Sequence, residues 1–263
     1  MGTSKAYDSP KWPGVNDKVG SAASDGPLTT GKTTSALSAF SAAYKKYINT
    51  TSGGSASTVP TGSSSGGRTQ GRRGGGGGAT ARARAATTGA RLGGFLADVS
   101  SSGLSQTLEG LGLGDLEGKA LDEVLDTVLD RLCEDGGLLD DSALTEAMAR
   151  TLDELGEGAE TVEEFDELLS SREVGIEGYL QIYFSHVLAV NFEQKEGAFV
   201  RGKISQRQCD GFFKQARELI RALVVDELAQ ERDLASIDWR SAEAIAIADS
   251  INQEVLDILI ADD

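Results

Sequence analysis

Apolar side chains recur at helical spacing through the second half of the chain. Between residues 119 and 137 they occupy positions i, i+3, i+4, i+7, i+8 and i+11, which places them on one face of a helix. These residues are Leu121, Val124, Leu125, Val128, Leu129 and Leu132. Gly136 and Gly137 follow them and predict where the helix ends.

The same kind of pattern predicts further helices on both sides of this one. They cover residues 79–99, part of 103–118, a segment carrying Leu144, Met148, Leu152 and Leu155, and residues 165–171, 179–192, 209–228 and 241–260. We expect the most apolar of them, 179–192, to be central. No segment alternates apolar and polar residues as a strand does. The predicted fold class is therefore all-α, with a multi-helix, bundle-like body.

Capping signals precede three of these helices. A side-chain oxygen at the N-cap accepts a hydrogen bond from the first turn, and a Glu or Gln three residues later completes a capping box. The predicted caps are Asp140 or Asp141, Thr161 with Glu164, and Ser205 with Gln208.

The first third of the chain has a different pattern. Prolines and few apolar residues predict an extended arm over 1–27, and residues 28–48 are predicted to form a short amphipathic helix. Residues 49–80 are rich in Gly, Ser and Arg, which predicts a flexible linker spanning roughly 30 Å. The acidic all-α domain is predicted to cover 81–263. Such a linker would allow the segment 1–48 to reach a partner away from the body, and the sequence leaves open whether residues 33–48 dock on the body or on a partner.

Charge divides the chain at the same place. Residues 1–91 hold 12 Lys and Arg against three Asp, whereas residues 92–263 hold 13 against 38 Asp and Glu, giving −16 for the whole chain. Such asymmetry is typical of an interaction tail joined to a folded body. The acidic body is expected to repel nucleic acid, because phosphate binding requires clustered cations.

Candidate catalytic chemistry is sparse. His186 is the one histidine, in an apolar stretch that favours a core position, and Cys133 and Cys209 are interpreted as core thiols. These residues are too few for a Cys and His zinc site. Two distant cysteines, no apolar run of roughly 18 residues and no signal sequence predict a cytoplasmic protein. We expect no enzymatic activity and no bound cofactor or metal.

Residues 26–33, "GPLTTGKT", match the G-x-x-x-x-G-K-[ST] pattern of phosphate-binding loops. The functional interpretation assigns Lys32 to phosphate and Thr33 to magnesium, with Gly26 and Gly31 as the loop glycines. Such a loop needs a buried strand before it, and the preceding "VNDKVGSAAS" has no core-strand character. We therefore interpret the match as a decoy.

The basic first third also allows a nucleic-acid-binding adaptor as an alternative function. Its contacts would come from Arg68, Arg72, Arg73, Arg82 and Arg84. Binding of this kind weakens steeply with salt. One "RRGG" and no aromatic residue between Tyr47 and Phe95 favour a linker over an Arg–Gly binding tail.

Gly2 is the strongest candidate for chemistry at the start of the chain. A small residue after Met1 favours removal of the initiator, which leaves a glycyl α-amine with a reference pKa of about 7.7–8.0. Part of that amine is neutral and nucleophilic near pH 7.5. N-myristoylation is disfavoured, because Ala6 stands where the M-G-x-x-x-[ST] pattern requires Ser or Thr.

Two stretches resemble QatB-type proteins of bacterial Qat anti-phage operons. One is the start, "MGTSKAYDSPKWPGV"; the other, over about 90–260, has a Gly-Gly-Phe helix, a Gly-Leu-Gly turn and a Leu-Cys ending before glycines. Such proteins are encoded beside a QueC-like enzyme (QatC), an ATPase (QatA) and a TatD-like nuclease (QatD). The resemblance implies a defence component that is a protein substrate and not an enzyme.

The resemblance also implies that Gly2 is the site of a covalent modification. The QueC-like enzyme is related to enzymes that use ATP to activate 7-carboxy-7-deazaguanine, and Gly2 would replace ammonia as the attacking amine. ATP and any zinc would then belong to the partner enzyme. Partner recognition is assigned to neighbouring residues, because small, proline-stiffened segments lose little entropy when bound. These residues are Thr3, Ser4, Ser9, Pro10, Trp12 and Pro13.

Overall fold

The computed structural model describes residues 12, 14–24, 30–50, 77–114, 119–133, 139–171, 174–228, 232, 234 and 236–261. Ten helices lie within these residues: α1 (Val15–Ser24), α2 (Thr30–Thr50), α3 (Gly77–Ser102), α4 (Leu104–Gly110), α5 (Leu121–Cys133), α6 (Leu139–Gly156), α7 (Val162–Ser171), α8 (Ile176–Arg201), α9 (Gln206–Glu227) and α10 (Ala242–Ala261). The described part of the chain is about 85% helical and contains no strand. The predicted all-α fold class is confirmed.

Helix α8 is the centre of the fold. It packs against α1, α2, α3, α6, α9 and α10. Its buried side chains point in every direction around the axis, and Tyr183, Phe184 and Phe192 are among the largest fully buried residues. A helix that is apolar all round is stable in water only when other helices cover it. The prediction that 179–192 forms a central helix is confirmed.

Helix α1 corrects the predicted extended arm. Residues 15–24, assigned from sequence to that arm, are helical, and Val15 and Val19 are buried. Gly20 permits the close contact with the end of α8, because a Cβ there would lie 3.4 Å from the Phe199 ring and 2.7 Å from Lys203 Nζ. The sequence pattern missed this helix because its small residues gain their burial from tertiary contacts.

Helix α2 packs on the body and is not held away from it. It contacts α3, α8, α9 and α10, and Phe40 in its middle is fully buried. The Arg82 guanidinium of α3 donates a hydrogen bond to Asn49 Oδ1 of α2. The end of α2 therefore lies beside the start of α3. The sequence left open whether residues 33–48 dock on the body or on a partner, and here α2 docks on the body.

The capping predictions have different outcomes. Ser205 and Gln208 form the predicted capping box at the start of α9. Thr161 Oγ1 accepts a hydrogen bond from the Glu164 amide at 3.2 Å, but the Glu164 carboxylate accepts from the Glu160 amide instead of that of Thr161. Helix α6 begins at Leu139, so Asp140 and Asp141 lie inside its first turn, and neither is the cap.

A glycine contact between α3 and α8 gives a test of this packing. A Cβ added at Gly89 would lie 2.8 Å from Cζ of the fully buried Phe184 ring. We expect Gly89→Ala to lower the free energy of unfolding by about 1–3 kcal/mol, the usual cost of overpacking. Urea denaturation followed by circular dichroism measures this change.

Gly31→Ala is the matched control, because Gly31 is also helical and a Cβ there would meet nothing within 4 Å. We expect it to be neutral or to raise stability by at most about 1 kcal/mol. Equal stability of the two variants would contradict the packing of α3 on α8.

Candidate functional site

Most residues of the predicted N-terminal site lie outside the described part of the chain. These are Gly2, Thr3, Ser4, Ser9, Pro10 and Pro13, together with Gly26 of the phosphate-loop match. Their assignments stay predictions. Trp12 is described, and its position shows where the N-terminal segment meets the folded body.

Trp12 packs on a small aromatic site of the chain itself, formed by Phe40, Tyr47 and Lys195 and called here the Trp12 site. The Trp12 and Phe40 ring centroids are 5.3 Å apart in an edge-to-face arrangement, and those of Trp12 and Tyr47 are 6.2 Å apart. Lys195 Nζ lies 6.0 Å from the Trp12 ring centroid and 5.5 Å from that of Tyr47. Aromatic pairs and cation–π contacts of this geometry are each stabilising by about 0.5–1.5 kcal/mol.

The backbone of Trp12 leads directly into α1. Its carbonyl accepts a hydrogen bond from the Val15 amide at 3.2 Å, and Val15 is buried. Trp12 itself is half-buried. The chain therefore joins the core at Trp12, and the segment bearing Gly2 starts from a defined place on the surface.

The phosphate-loop match lies at the start of α2. Gly31, Lys32 and Thr33 are helical, and Thr33 is fully buried with its hydroxyl donating to Gln215 Oε1 at 3.3 Å. The segment before the match is helix α1, whereas a phosphate-binding loop follows a buried strand. This local structure favours the decoy interpretation of the motif.

Arg82, one of the five arginines of the nucleic-acid alternative, is engaged within the fold. Its Nε donates to Asp249 Oδ1 at 2.6 Å, and its guanidinium also contacts Asp249 Oδ2 and Asn49 Oδ1. The hydrogen bond with Asp249 raises the pKa of Arg82. Arg82 therefore joins α3 to α10. Of the other four arginines, Arg84 lies on the same helix, and Arg68, Arg72 and Arg73 lie outside the described residues.

His186 lies in an ion-pair network and not in the apolar core. It is half-buried on α8, with Nε2 2.9 Å from Glu154 Oε2 of α6, and Arg221 of α9 donates to Glu154 Oε1 at 2.8 Å. Burial alone would raise the pKa of Glu154, but hydrogen bonds from His186 and Arg221 lower it to about 2. A second carboxylate, Glu193, binds Arg150 and Arg217 in the same way.

This network joins α6, α8 and α9. The carboxylates are held ionised by arginines, and the thiol of Cys209 is buried, which raises its pKa. Cys133 is only partly buried at the end of α5, so the core assignment is right for Cys209 alone. Across the described residues no group of three or more His, Cys, Asp or Glu is placed to hold a metal ion.

A cleft lies beside α3 and is called here the α3–α10 cleft. It has a volume of about 860 Å³ and lies between α3, the end of α5 and the start of α10. The indole of Trp239 forms one wall and packs so closely on α3 that a Cβ at Gly93 would lie 2.3 Å from Trp239 Cζ3. Trp239 is buried ahead of α10.

The described residues define an all-α protein with a helical body and an N-terminal segment fixed to it at Trp12. A family model for "Qat anti-phage system associated protein QatB" matches residues 74–259. The match covers more than half of the chain, so the chain belongs to the QatB family of Qat anti-phage system proteins, and the resemblance inferred from sequence is confirmed. No curated protein and no solved structure gives a significant match. No helix among the described residues is long and apolar enough to cross a membrane.

The sequence features that carried the resemblance in the body meet at the α3–α10 cleft. Gly94 and Phe95 of the Gly-Gly-Phe helix, Leu111 of the Gly-Leu-Gly turn and Leu132 of the Leu-Cys ending all line it. Sequence reasoning recognised these three segments singly and missed that they form one site. Nothing in the spacing of residues 94, 111 and 132 indicates that they are neighbours.

The ion pair of Glu154 gives a pH-dependent prediction. Its pKa is about 2 in the folded protein and its ordinary value is 4.5, so its stabilisation is present above pH 4.5 and is lost as the pH falls toward 2. We expect Glu154→Gln to lower the free energy of unfolding at pH 7 by about 1–2 kcal/mol, after discounting for solvent screening. The difference from wild type should shrink between pH 4.5 and pH 3 in urea denaturation.

Glu218→Gln is the control for this measurement. Glu218 is an exposed carboxylate 3.8 Å from Lys214 on α9, and exposed pairs of this kind contribute little. A Glu154 variant as stable as the Glu218 variant at pH 7 would contradict the role of the network.

Proposed function

We propose that this QatB-family protein is the acceptor in an N-terminal conjugation reaction and is itself not an enzyme. After removal of Met1, the α-amine of Gly2 attacks the acyl-adenylate of a 7-carboxy-7-deazaguanine held by the QueC-like enzyme. A C–N amide bond forms, the bond to the adenylate breaks with release of AMP, and the amine proton passes to solvent. We place the reaction in the cytoplasm, where the partner supplies ATP and any zinc.

The observation that carries this proposal is family membership, since the QatB match extends over residues 74–259. The resemblance of the opening stretch, Met1 to Val15, to the start of such proteins supplies the chemistry. A glycyl amine suits the reaction, because it has no Cβ to hinder approach to the acyl carbon. Thr3 and Ser4 are small enough to follow it into a narrow site, and the prolines that follow limit the entropy lost on binding.

The position of Trp12 supports a conjugation in which the acceptor amine of Gly2 stays close to the helical body. Ten peptide steps separate Gly2 from Trp12 in the sequence. An extended chain spans at most about 3.3–3.6 Å per residue, so Gly2 reaches at most roughly 35 Å from Trp12. The active site of the enzyme must therefore come within roughly 35 Å of Trp12. We propose that the helical body contacts the QueC-like enzyme there, with QatA and QatD as further partners.

Intact-mass analysis after co-expression with the QueC-like enzyme tests the acceptor. We expect wild type to gain an adduct of deazaguanine size. Gly2→Ala, which also keeps a small residue after Met1, should gain the adduct to a smaller extent, because its Cβ hinders approach to the acyl carbon. Gly2→Leu should retain Met1 and gain none. An adduct on Gly2→Leu, or no adduct on wild type, would rule out Gly2 as the acceptor.

A second experiment tests the Trp12 site. If Trp12 positions the arm on its own body, Trp12→Ala and Tyr47→Ala should both slow adduct formation, by roughly three- to tenfold for the loss of one aromatic contact. The rate is measured at enzyme concentrations below saturation, on purified full-length variants.

The two variants distinguish this arrangement from one in which the enzyme takes Trp12 into its own pocket. In that case only Trp12→Ala would form the adduct slowly. Tyr47→Ala would form it as fast as wild type, because weakening the Trp12 site only releases the Trp12 side chain for the enzyme. Adduct formation by Trp12→Ala at the wild-type rate would exclude both arrangements. Lys214→Gln, an exposed change on α9, serves as the matched surface control.

A further inference from the structure

The α3–α10 cleft has the size and composition of a small-molecule site. Its volume of about 860 Å³ falls within the range of about 300–1,000 Å³ that is typical of ligand pockets. Phe95 and Trp239 supply aromatic surface, and Leu111 and Leu132 add aliphatic surface. Phe95 and Trp239 are largely buried and expose only a small part of their rings, but an aromatic lining of this kind suits a ligand with an aromatic ring.

The lip of the cleft keeps apolar surface exposed to water. Ile245, in the first turns of α10, lines the cleft and is 36% exposed. It is one of two large apolar residues in the described chain that are exposed to this degree. The other, Val225 on α9, is not among the residues that line the cleft. A ligand ring that covers Ile245 would gain hydrophobic free energy.

The described lining of the cleft carries a small excess of cations, unlike the acidic body. Arg91, Arg131 and Arg240 line it together with two carboxylates, Asp98 and Asp238, among the residues that the structure describes. Residues 92–263 as a whole hold 13 Lys and Arg against 38 Asp and Glu. A local excess of cations within an acidic surface selects an anionic group. The guanidinium is suited to carboxylate, sulfonate or phosphate, because its donors form a planar fork.

The backbone around the cleft is fixed by packing. Arg91 donates to the Leu132 carbonyl at 3.3 Å, which ties α3 to the end of α5. Ser241 Oγ accepts from the Ala244 amide at 3.2 Å and caps α10, and the Trp239 indole lies against Gly93. A binding site whose walls are already in place loses little entropy when the ligand enters.

We propose that the α3–α10 cleft binds a small aromatic anion, with its ring on the surface of Phe95, Trp239 and Ile245 and its acidic group at Arg131 and Arg240. This binding is separate from the Gly2 reaction and does not depend on it. Its failure would leave the proposed conjugation untouched.

Fluorescence titration of the full chain with two matched probes tests the proposal. 1-Anilinonaphthalene-8-sulfonate carries the aromatic ring and an anionic group, and N-phenyl-1-naphthylamine has the same rings without the charge. We expect saturable binding of the sulfonate at one site, at least fivefold tighter than that of the uncharged probe. Rising salt should weaken only the sulfonate.

Variants identify the site. Arg240→Gln, at an exposed position, should weaken sulfonate binding about three- to tenfold and leave the uncharged probe unchanged. Ala97→Phe, which puts a ring into the cleft from α3, should abolish binding of both probes. Val225→Ser is the control for the other exposed apolar position and should change neither. Near-ultraviolet circular dichroism establishes that each variant is folded.

Three results would overturn the proposal. Equal affinity for the two probes would show that the anionic group does not contribute to binding. Unchanged sulfonate binding by Arg240→Gln would do the same, and that variant keeps the test valid if Ala97→Phe fails to fold. Loss of sulfonate binding in Val225→Ser, with none in the cleft variants, would place the site on α9.

Discussion

The fold depends on covering α8. This helix has buried side chains on every face, so it must be surrounded, and the acidic second half of the chain does not supply all of the cover. Helices α1 and α2 from the basic first third complete it, with Val19 and Phe40 fully buried. Helices α1 and α2 are therefore part of the core, and Trp12 packs beside them on Phe40 and Tyr47.

This constraint determines how the N-terminal segment can act. Were the whole segment 1–48 tethered only by the linker, Gly2 would sample a large volume around the body. Because α1 and α2 pack on α8, the accessible volume is instead centred on Trp12, within the length of ten residues. In the proposed conjugation, the active site of the partner enzyme would have to come within roughly 35 Å of Trp12, so contacts with the nearby surface of the body would add to recognition of the arm.

Local signals in the sequence predicted a large part of the fold. The leucine and valine spacing located α5, and the Ser205–Gln208 capping box located the start of α9. Helix α1 was missed, because its pattern is weak and its stability comes from contact with Phe199 and the rest of the body. Asp140 was predicted to be the N-cap of α6 but lies in its first turn, because aspartate is favoured at both positions.

The candidate sites were less predictable than the helices. Gly2 rests on sequence context and resemblance. The aromatic contacts of Trp12 with Phe40 and Tyr47 join residues 28 and 35 positions apart, and the cleft joins residues from 87 to 245. Helical periodicity assigns a residue to a face but says nothing about which helix covers it. Only the packing of α3 against α10 brings Gly93 and Trp239 together.

Amide hydrogen exchange of the intact protein, read by mass spectrometry on peptides covering residues 15–24 and 30–50, measures whether α1 and α2 belong to the folded core beside Trp12. Both peptides should be protected by about 100-fold or more relative to an unfolded chain, as expected for helices packed on a core. Exchange of residues 15–24 at the unfolded rate would show that α1 does not pack on α8.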